Sequence, residues 1–406
     1  MSAVPGSARE LLAHRQFQHY FLGRGFANFA RQIVAVAIGW QVYELTASAF
    51  ALGMVGLVQF LPTAALTFHA GHAADRFQRK HIVQISQVVQ GIGAAWLAWG
   101  SVGGWITVTQ VFVIAALMGA ATAFERPAAA AMLPGVVPEG LLQRGTALTS
   151  SVMEVASISG PALGGLAYAL SPGLAYAMTA AFFLAACVHN GLLRMKHVPR
   201  STGAPDWTSL LAGVRFVRSN PTLLGAISLD LFAVLLGGAT ALLPIYASDI
   251  LDTGPWGLGL LRAAPAVGSL LMTALLARWP LERHVGLRMF QGVIVFGMAT
   301  IVFALSREIW LSMAALVVMG AADTVSVVIR LSLVQLATPD AMRGRVSAVN
   351  FLFVNASNQL GEFESGVTAA LMGVVPAAVL GGVGTVAVAL LWMRWFPGLL
   401  RLQKLE

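Results

Sequence analysis

The sequence predicts an all-α integral membrane protein with twelve transmembrane helices. Of its 406 residues, 57% are hydrophobic and only 10% are charged, whereas a soluble domain carries about 25% charged residues. A membrane-spanning helix needs about 20 apolar residues, so twelve would use about 240 and leave only short loops. The composition therefore excludes a soluble enzyme, a pump with its own ATPase domain and any other large extramembrane head.

Twelve apolar runs, each bounded by glycine, proline or charge, are the second observation. They fall near 20–43, 50–71, 82–100, 105–124, 145–169, 174–193, 221–247, 256–277, 286–305, 309–329, 346–371 and 376–396. The longest polar gap separates the sixth run from the seventh. We therefore expect an N-terminal six-helix bundle over 1–194, a cytoplasmic linker with an amphipathic helix over 195–220, and a C-terminal six-helix bundle over 221–406.

The distribution of lysine and arginine is the third observation. With the N-terminus inside, the loops on the cytoplasmic side collect almost all of these residues, and Arg307 alone falls on the opposite side. Cytoplasmic loops are enriched in this way in membrane proteins. We expect a multi-pass protein of the cell membrane, namely a bacterial inner membrane, with both termini in the cytoplasm. The formal charge of +8 is then explained by the orientation of the protein in the membrane, and no nucleic-acid partner is expected.

The two halves of the chain repeat each other. Shifts of 203 and 201 residues superpose the second run on the eighth and the fifth on the eleventh. The residues matched by the first shift are Gly56, Gln59 and Pro62 with Gly259, Arg262 and Pro265. Near-equal offsets in two helix pairs predict two pseudo-symmetric bundles, with a substrate site near mid-membrane between them.

Two motifs connect this architecture with a known family. The loop after the second run, Gly71 to Lys80, reads GHAADRFQRK and resembles the signature loop of the major facilitator superfamily, with Gln78 in place of one glycine. The fifth run carries GPALGG from Gly160 to Gly165, which resembles the glycine-proline motif of drug exporters in that superfamily. The resemblance implies the major facilitator fold.

A finer resemblance is to the subgroup that contains the enterobactin exporter and related secretion-type carriers. It rests on WQVYELT from Trp40, QFLP from Gln59, the stretch 127–134, RGRV from Arg343 and SNQLGE from Ser357. The subgroup implies efflux of small molecules, drug-like compounds or siderophores.

The signature loop predicts a conformational latch. A carboxylate at Asp75 could accept N–H bonds at the N-terminus of the eleventh span and pair with Arg126. The residues assigned to this gate are Gly71, Asp75, Arg76, Arg79, Lys80, Arg126 and Arg345. For Arg79 and Lys80, the simpler interpretation is that their positive charges only set the orientation of the protein in the membrane. Gly160, Pro161, Gly164 and Gly165 are expected to provide close packing, a hinge, or both.

Ionisable residues inside spans are costly and are therefore candidates for function. The predicted substrate or proton pathway comprises Arg31, Gln59, Glu154, Asp230, Arg262, Asp323, Glu362 and Glu364. Glu154 and Asp230 are expected deepest, and the alternative for each residue is a structural ion pair. The arginines could neutralise these acids or attract an anionic substrate.

The leading hypothesis is a secondary active transporter that exports a small amphipathic molecule by alternating access in exchange for protons. The alternatives are a lipid or lysolipid flippase, an importer of a small metabolite, or a scaffold that transports nothing. No sequence motif indicates an enzyme, a cofactor or a metal site. The expected partners are the small-molecule substrate, protons and the lipid bilayer, and the protein is expected to be monomeric.

Overall fold

Twelve long helices account for most of the computed structural model, which describes residues 8–194, 207–281 and 283–404. We number them α1 to α12. They are Arg15–Thr46, Ala49–Arg76, Arg79–Gly103, Val108–Ala130, Leu142–Leu170, Pro172–Gly191, Pro221–Leu236, Gly254–Arg278, Val285–Leu305, Ile309–Leu336, Asp340–Met372 and Val374–Trp395. Each one overlaps a predicted apolar run, so the prediction of twelve helices is confirmed. Within the described residues there is no β-strand.

Length and apolarity alone qualify eight of the described helices as membrane spans. The other four are α1, α3, α5 and α11, and they carry charged and amide side chains along their length. Examples are Arg31 in α1, Gln87 in α3, Glu154 in α5 and Glu362 in α11. These polar side chains lower the mean hydropathy of the four helices.

Several helices extend beyond the predicted runs. The signature segment is the main correction: Gly71–Arg76 is not a loop but the last turns of α2. The N–H of Phe77 donates to the carbonyl of Ala73 at 2.9 Å, and α3 begins at Arg79. The reason is that the segment contains no proline and only one glycine, so nothing stops the helix before Phe77.

Helix α7 is interrupted inside the seventh predicted run. It ends at Leu236, and the chain continues through Gly237 and Gly238 into a 3₁₀ turn, Ala239–Leu242. A short α-helix, Leu243–Ile245, and a π-helical turn, Tyr246–Ile250, complete the segment. Two consecutive glycines favour a break because glycine is a weak helix former.

Shorter helices occur at Ala8–Ala13, Leu133–Val136, Trp207–Ser219 and Pro397–Leu400. Trp207–Ser219 lies in the predicted linker, whose residues 195–206 are outside the described part of the chain. Val217 of this helix is buried in a cluster with residues of α7, α9 and α10. A Cβ at Gly213 would lie 2.9 Å from the carbonyl oxygen of Arg345, so the helix packs closely on α11.

The described residues separate into two compact units. The first contains those of Met1–Leu45 and Val58–Ala204, and the second those of Thr46–Leu57 and Pro205–Glu406. In the first unit α3 packs on α4 and α6; in the second α10 packs on α8 and α9, and α9 packs on α12. The predicted domain boundaries at 194 and 221 stay a prediction.

Candidate functional site

A buried ion pair joins α1 to α4 in the first unit. Nη1 of Arg31 donates to Oε2 of Glu125 at 3.0 Å, and the exposed fractions of the two side chains are 15% and 0%. Gln87 and Gln90 of α3 donate from Nε2 to the same carboxylate at 3.0 and 2.8 Å. Asn190 of α6 in turn donates to Oε1 of Gln87 at 3.1 Å. The charge of Glu125 is therefore fully bonded, which is the condition for keeping a carboxylate in an apolar surrounding.

A second buried ion pair joins α7 to α10 in the second unit. Nη2 of Arg330 lies 3.2 Å from Oδ2 of Asp230, and both side chains are at most 5% exposed. Nη1 of Arg330 also donates to Oδ1 of Asn350 in α11 at 2.7 Å. One arginine thus ties together three helices of this unit.

A third charged residue, Asp323, belongs to this cluster. It lies seven residues before Arg330 on α10, and it interacts electrostatically with both Asp230 and Arg330. Asp323, Asp230 and Ser326 line a cavity of about 10 Å³, room for roughly one water molecule. The cluster contains two carboxylates and one guanidinium, and only Asp230 is paired directly with Arg330. With both acids ionised, the cluster therefore carries one uncompensated negative charge.

The two ion pairs occupy equivalent helices with their charges exchanged. The first half has its arginine on its first helix and its acid on its fourth, whereas the second half has the acid first and the arginine fourth. This correspondence agrees with the internal repeat. The second half adds a further acid, Asp323, and a cavity beside it.

Arg262 of α8 and Glu362 of α11 form another electrostatic pair in the second unit. The carboxylate of Glu362 lies against Gly56, where a Cβ would be 2.9 Å from Oε2. Glu364 accepts a hydrogen bond from Oγ1 of Thr368 at 2.8 Å. The acids predicted on α11 therefore have neighbours in their own unit.

Two further pathway residues lie in the first unit. Glu154 of α5 is half-buried, and its Oε1 is enclosed with no hydrogen-bond partner among the described residues. The carbonyl of Gln59 accepts a bond from Oγ1 of Thr63 at 2.8 Å, which also donates to the carbonyl of Gly119 at 2.9 Å. Gln59 thus lies where α2 and α4 cross.

The basic pair of the signature segment binds helix ends. Nη1 of Arg79 donates to the carbonyl of Ala131, directly after α4, at 2.8 Å. Nζ of Lys80 donates to the carbonyls of Gly191 and Leu193, at the end of α6, at 2.6 and 2.9 Å. Cations at helix C-termini satisfy carbonyls that have no partner within the helix. These residues are therefore C-terminal caps.

The remaining gate residues are less informative. Arg76 and Arg126 are exposed, and Gly71 is half-buried within α2. Arg345 is exposed and donates to Sδ of Met342 at 3.4 Å. The side chain of Asp75 lies outside what the structure describes, so the latch stays a prediction.

The glycine-proline motif packs α5 on α1. A Cβ at Gly160 would lie 2.6 Å from Cβ of Gln32, and one at Gly164 would lie 3.0 Å from Cα of Ile33. Gly165 is also buried, and α5 continues without a break through Pro161. The motif permits close helix contact, which is one of its two predicted roles.

Two buried charges were not predicted at these positions. Glu125 falls just after the predicted end of the fourth run, and Arg330 falls just after that of the tenth, where the hydropathy pattern predicts a cytoplasmic loop. Both helices continue for at least five more residues, so both charges lie inside spans. Amides within a neighbouring helix, such as Gln87 and Gln90, were the sequence signal for a buried partner.

Comparison with known proteins places this architecture in a family. The model of the Major Facilitator Superfamily matches residues 20–362. The enterobactin exporter EntS of Citrobacter koseri is 26% identical over 394 residues, covering 94% of this chain and 92% of that protein. The multidrug efflux pump Tap of Mycobacterium tuberculosis is 29% identical over 352 residues, covering 82% and 81%. The predicted resemblance to the enterobactin-exporter subgroup is confirmed at this level of similarity.

Solved structures share the fold at low sequence identity. The nucleoside transporter NupG, as its D323A mutant, superposes with a TM-score of 0.76 at 13% identity, over 94% of this chain and 100% of that one. A bacterial homolog of the human lysosomal transporter Spinster, inward-facing and occupied, gives 0.74 at 14% identity, over 98% and 99%. The chain is a multi-pass membrane transporter of small molecules and belongs to the Major Facilitator Superfamily.

Proposed function

We propose that the protein is a secondary active transporter that exports a small amphipathic molecule by alternating access, driven by protons moving inward. The similarity to an enterobactin exporter and to a multidrug efflux pump supports the direction and the substrate class. We place the protein in a bacterial inner membrane with both termini cytoplasmic, because of the distribution of its lysines and arginines.

The observation that carries the proton coupling is the group of Asp230, Asp323 and Arg330. Asp230 pairs with Arg330 at 3.2 Å, and Asp323 interacts electrostatically with both beside a cavity of about 10 Å³. A proton on either acid makes the cluster neutral, and its release leaves one negative charge within apolar helices. A change of net charge in such a surrounding alters the stability of the packed state by several kcal/mol, enough to shift a conformational equilibrium.

Within this cluster, Asp323 is the stronger candidate for the proton carrier. Asp230 is already engaged, since it lies 3.2 Å from the guanidinium of Arg330. Asp323 is half-buried and shares the cavity with Ser326, whose Oγ is buried without a hydrogen-bond partner among the described residues. A water in this cavity could pass a proton to Asp323. Glu154 remains the candidate in the first unit.

Transport in proteoliposomes tests the function. Purified protein would be reconstituted, and a panel of amphipathic dyes and enterobactin would be assayed with and without an imposed pH gradient. We expect movement against the substrate gradient only when protons flow the opposite way. Movement of labelled lipid between leaflets instead would support a flippase, and co-movement with protons would support an importer; either result would overturn the proposal.

Variants locate the coupling residue. Asp323→Asn should abolish gradient-driven transport and preserve passive exchange, because the substrate site is intact while the proton cannot be carried. Glu308→Gln, an exposed acid just before the same helix, is the matched control and should transport normally. Full driven transport by Asp323→Asn would move the role to Asp230 or Glu154.

A further inference from the structure

An excess of positive charge gathers in the first unit around Glu125. Arg24, Arg31 and Arg126 all interact electrostatically with that single carboxylate or with one another. Arg24 and Arg31 lie two turns apart on α1, and Arg126 is next to Glu125 on α4. Three guanidinium groups around one acid leave two positive charges in excess. This is the opposite sign to the cluster in the second unit.

The single acid is already fully engaged. Glu125 accepts from Arg31 at 3.0 Å and from two glutamines, and its side chain has no exposed surface. It therefore offers Arg24 only a longer-range attraction. Among the described residues no carboxylate lies within 4 Å of the guanidinium of Arg24.

Arg24 has the most unusual environment of the three. Its only hydrogen-bond acceptor in the described part of the chain is Sδ of Met153, 3.4 Å from Nη2. Nε and Nη1 are buried, and neither has a hydrogen-bond partner there. Burying donors of a permanent cation without acceptors is costly, and charged groups inside membrane helices commonly mark substrate pathways.

The neighbours of Arg24 along α1 are polar and hydrogen-bonded to α5. Asn28, four residues after Arg24 on the same face of α1, donates to the carbonyl of Met153 at 3.0 Å. Gln32, one turn further along, donates to Oγ of Ser157 at 3.1 Å. These bonds join α1 to α5 at Met153 and one turn further along, at Ser157. The position of Arg24 is thus set by the fold, and so is the position of its unpartnered donors, Nε and Nη1.

We infer that Arg24, assisted by the charges of Arg31 and Arg126, binds an anionic group of the transported molecule. The buried Nε–H and Nη1–H groups of Arg24 can each donate a charge-assisted bond to an oxygen of a carboxylate, sulfonate or phosphate. Exposed Arg126 supplies attraction at the surface, and Arg24 supplies the buried bonds. This inference rests on the proposed function and narrows the substrate class to amphipathic anions.

Binding of three ligands that share one apolar ring but differ in charge tests the inference. The protein in nanodiscs would be titrated with naphthalene sulfonate, the neutral naphthyl methanol and the cationic naphthyl methylammonium, and affinity would be read from the rise in Tm. We expect the sulfonate to bind at least about tenfold more tightly than the alcohol, as two charge-assisted bonds suggest, and the cation to bind more weakly than either. Equal affinity for sulfonate and alcohol would overturn the inference.

Variants assign the preference to Arg24. Arg24→Gln should remove the preference for sulfonate while alcohol binding persists, which also shows that the variant is folded, and Arg24→Lys should keep part of it. Arg126→Gln, at an exposed position, should weaken sulfonate binding by a smaller factor. Arg144→Gln, another exposed arginine of the first unit, should change nothing. An unchanged preference in Arg24→Gln would contradict the assignment.

Binding separates this inference from the proposed function. The titration needs no pH gradient, so a protein that binds sulfonate through Arg24 but moves no protons would refute the coupling alone. A protein driven by protons that shows no preference for anions would refute the Arg24 site alone.

Discussion

Removing Arg330 should destabilise the protein far more than removing its partner Asp230. In the protein as it stands, one guanidinium faces two carboxylates. Asp230→Asn leaves Arg330 with Asp323 and with its 2.7 Å bond to Asn350. Arg330→Gln leaves two acids with no cation. The charge of the cluster becomes zero in the first variant and minus two in the second.

The magnitude follows from the burial of the pair. Deleting one partner of a buried ion pair costs about 3–5 kcal/mol when the other is left uncompensated. Arg330 is 3% exposed, so we expect Arg330→Gln to lie in this range and Asp230→Asn well below it. The double variant should recover part of the loss, since it leaves only Asp323, which can take a proton.

Thermal unfolding in nanodiscs, followed by tryptophan fluorescence, measures these effects. Arg394→Gln, an exposed arginine at the end of α12, is the control and should change the free energy of unfolding by at most about 0.5 kcal/mol. If Arg330→Gln is no less stable than Asp230→Asn, or if the two single effects simply add, the shared-guanidinium interpretation is wrong.

Three further variants test other parts of the structure. Glu125→Gln should lower stability by about 3–5 kcal/mol because Arg31 loses its counter-ion, and replacing both residues by glutamine should restore much of it; additive losses would contradict this. Gly320→Ala should lower the free energy of unfolding by about 1–3 kcal/mol, seen as a lower Tm, because its Cβ would overlap the backbone of α8. Gly344→Ala is the control, since a Cβ there would have nothing within 4 Å. Equal melting temperatures of the two variants would refute the close crossing of α8 and α10. Asp75→Asn should slow transport in proteoliposomes without changing substrate binding if the latch exists; a normal rate would exclude it.

The helices were predictable because the bilayer demands long apolar runs separated by short polar loops. The ends of those helices were not, since a helix that continues past the apolar run gives no hydropathy signal. Glu125 and Arg330 were misassigned for this reason, each lying one residue beyond a predicted run. Spacing along the chain also could not show that Asp230 reaches Arg330, which is 100 residues away.

The break in α7 was similarly outside what periodicity can show. Gly237 and Gly238 lie inside an apolar run that is long enough to be one span, so the pattern predicts a continuous helix. The packing shows why both positions need glycine: a Cβ at Gly238 would lie 2.6 Å from the carbonyl oxygen of Gly361, and one at Gly237 would lie 2.6 Å from Cε1 of Phe296. The pair Gly164–Gly165 lies inside α5, which is unbroken, so a glycine pair alone does not predict the break.

Proton movement during transport tests the central proposal most directly. Proteoliposomes containing a pH-sensitive dye would be given a transported compound on the side from which the protein exports it, and luminal pH would be recorded. We predict proton movement opposite to the compound, present in the protein and in Glu308→Gln and absent in Asp323→Asn. Transport of the compound against its gradient with no accompanying proton movement would contradict the account.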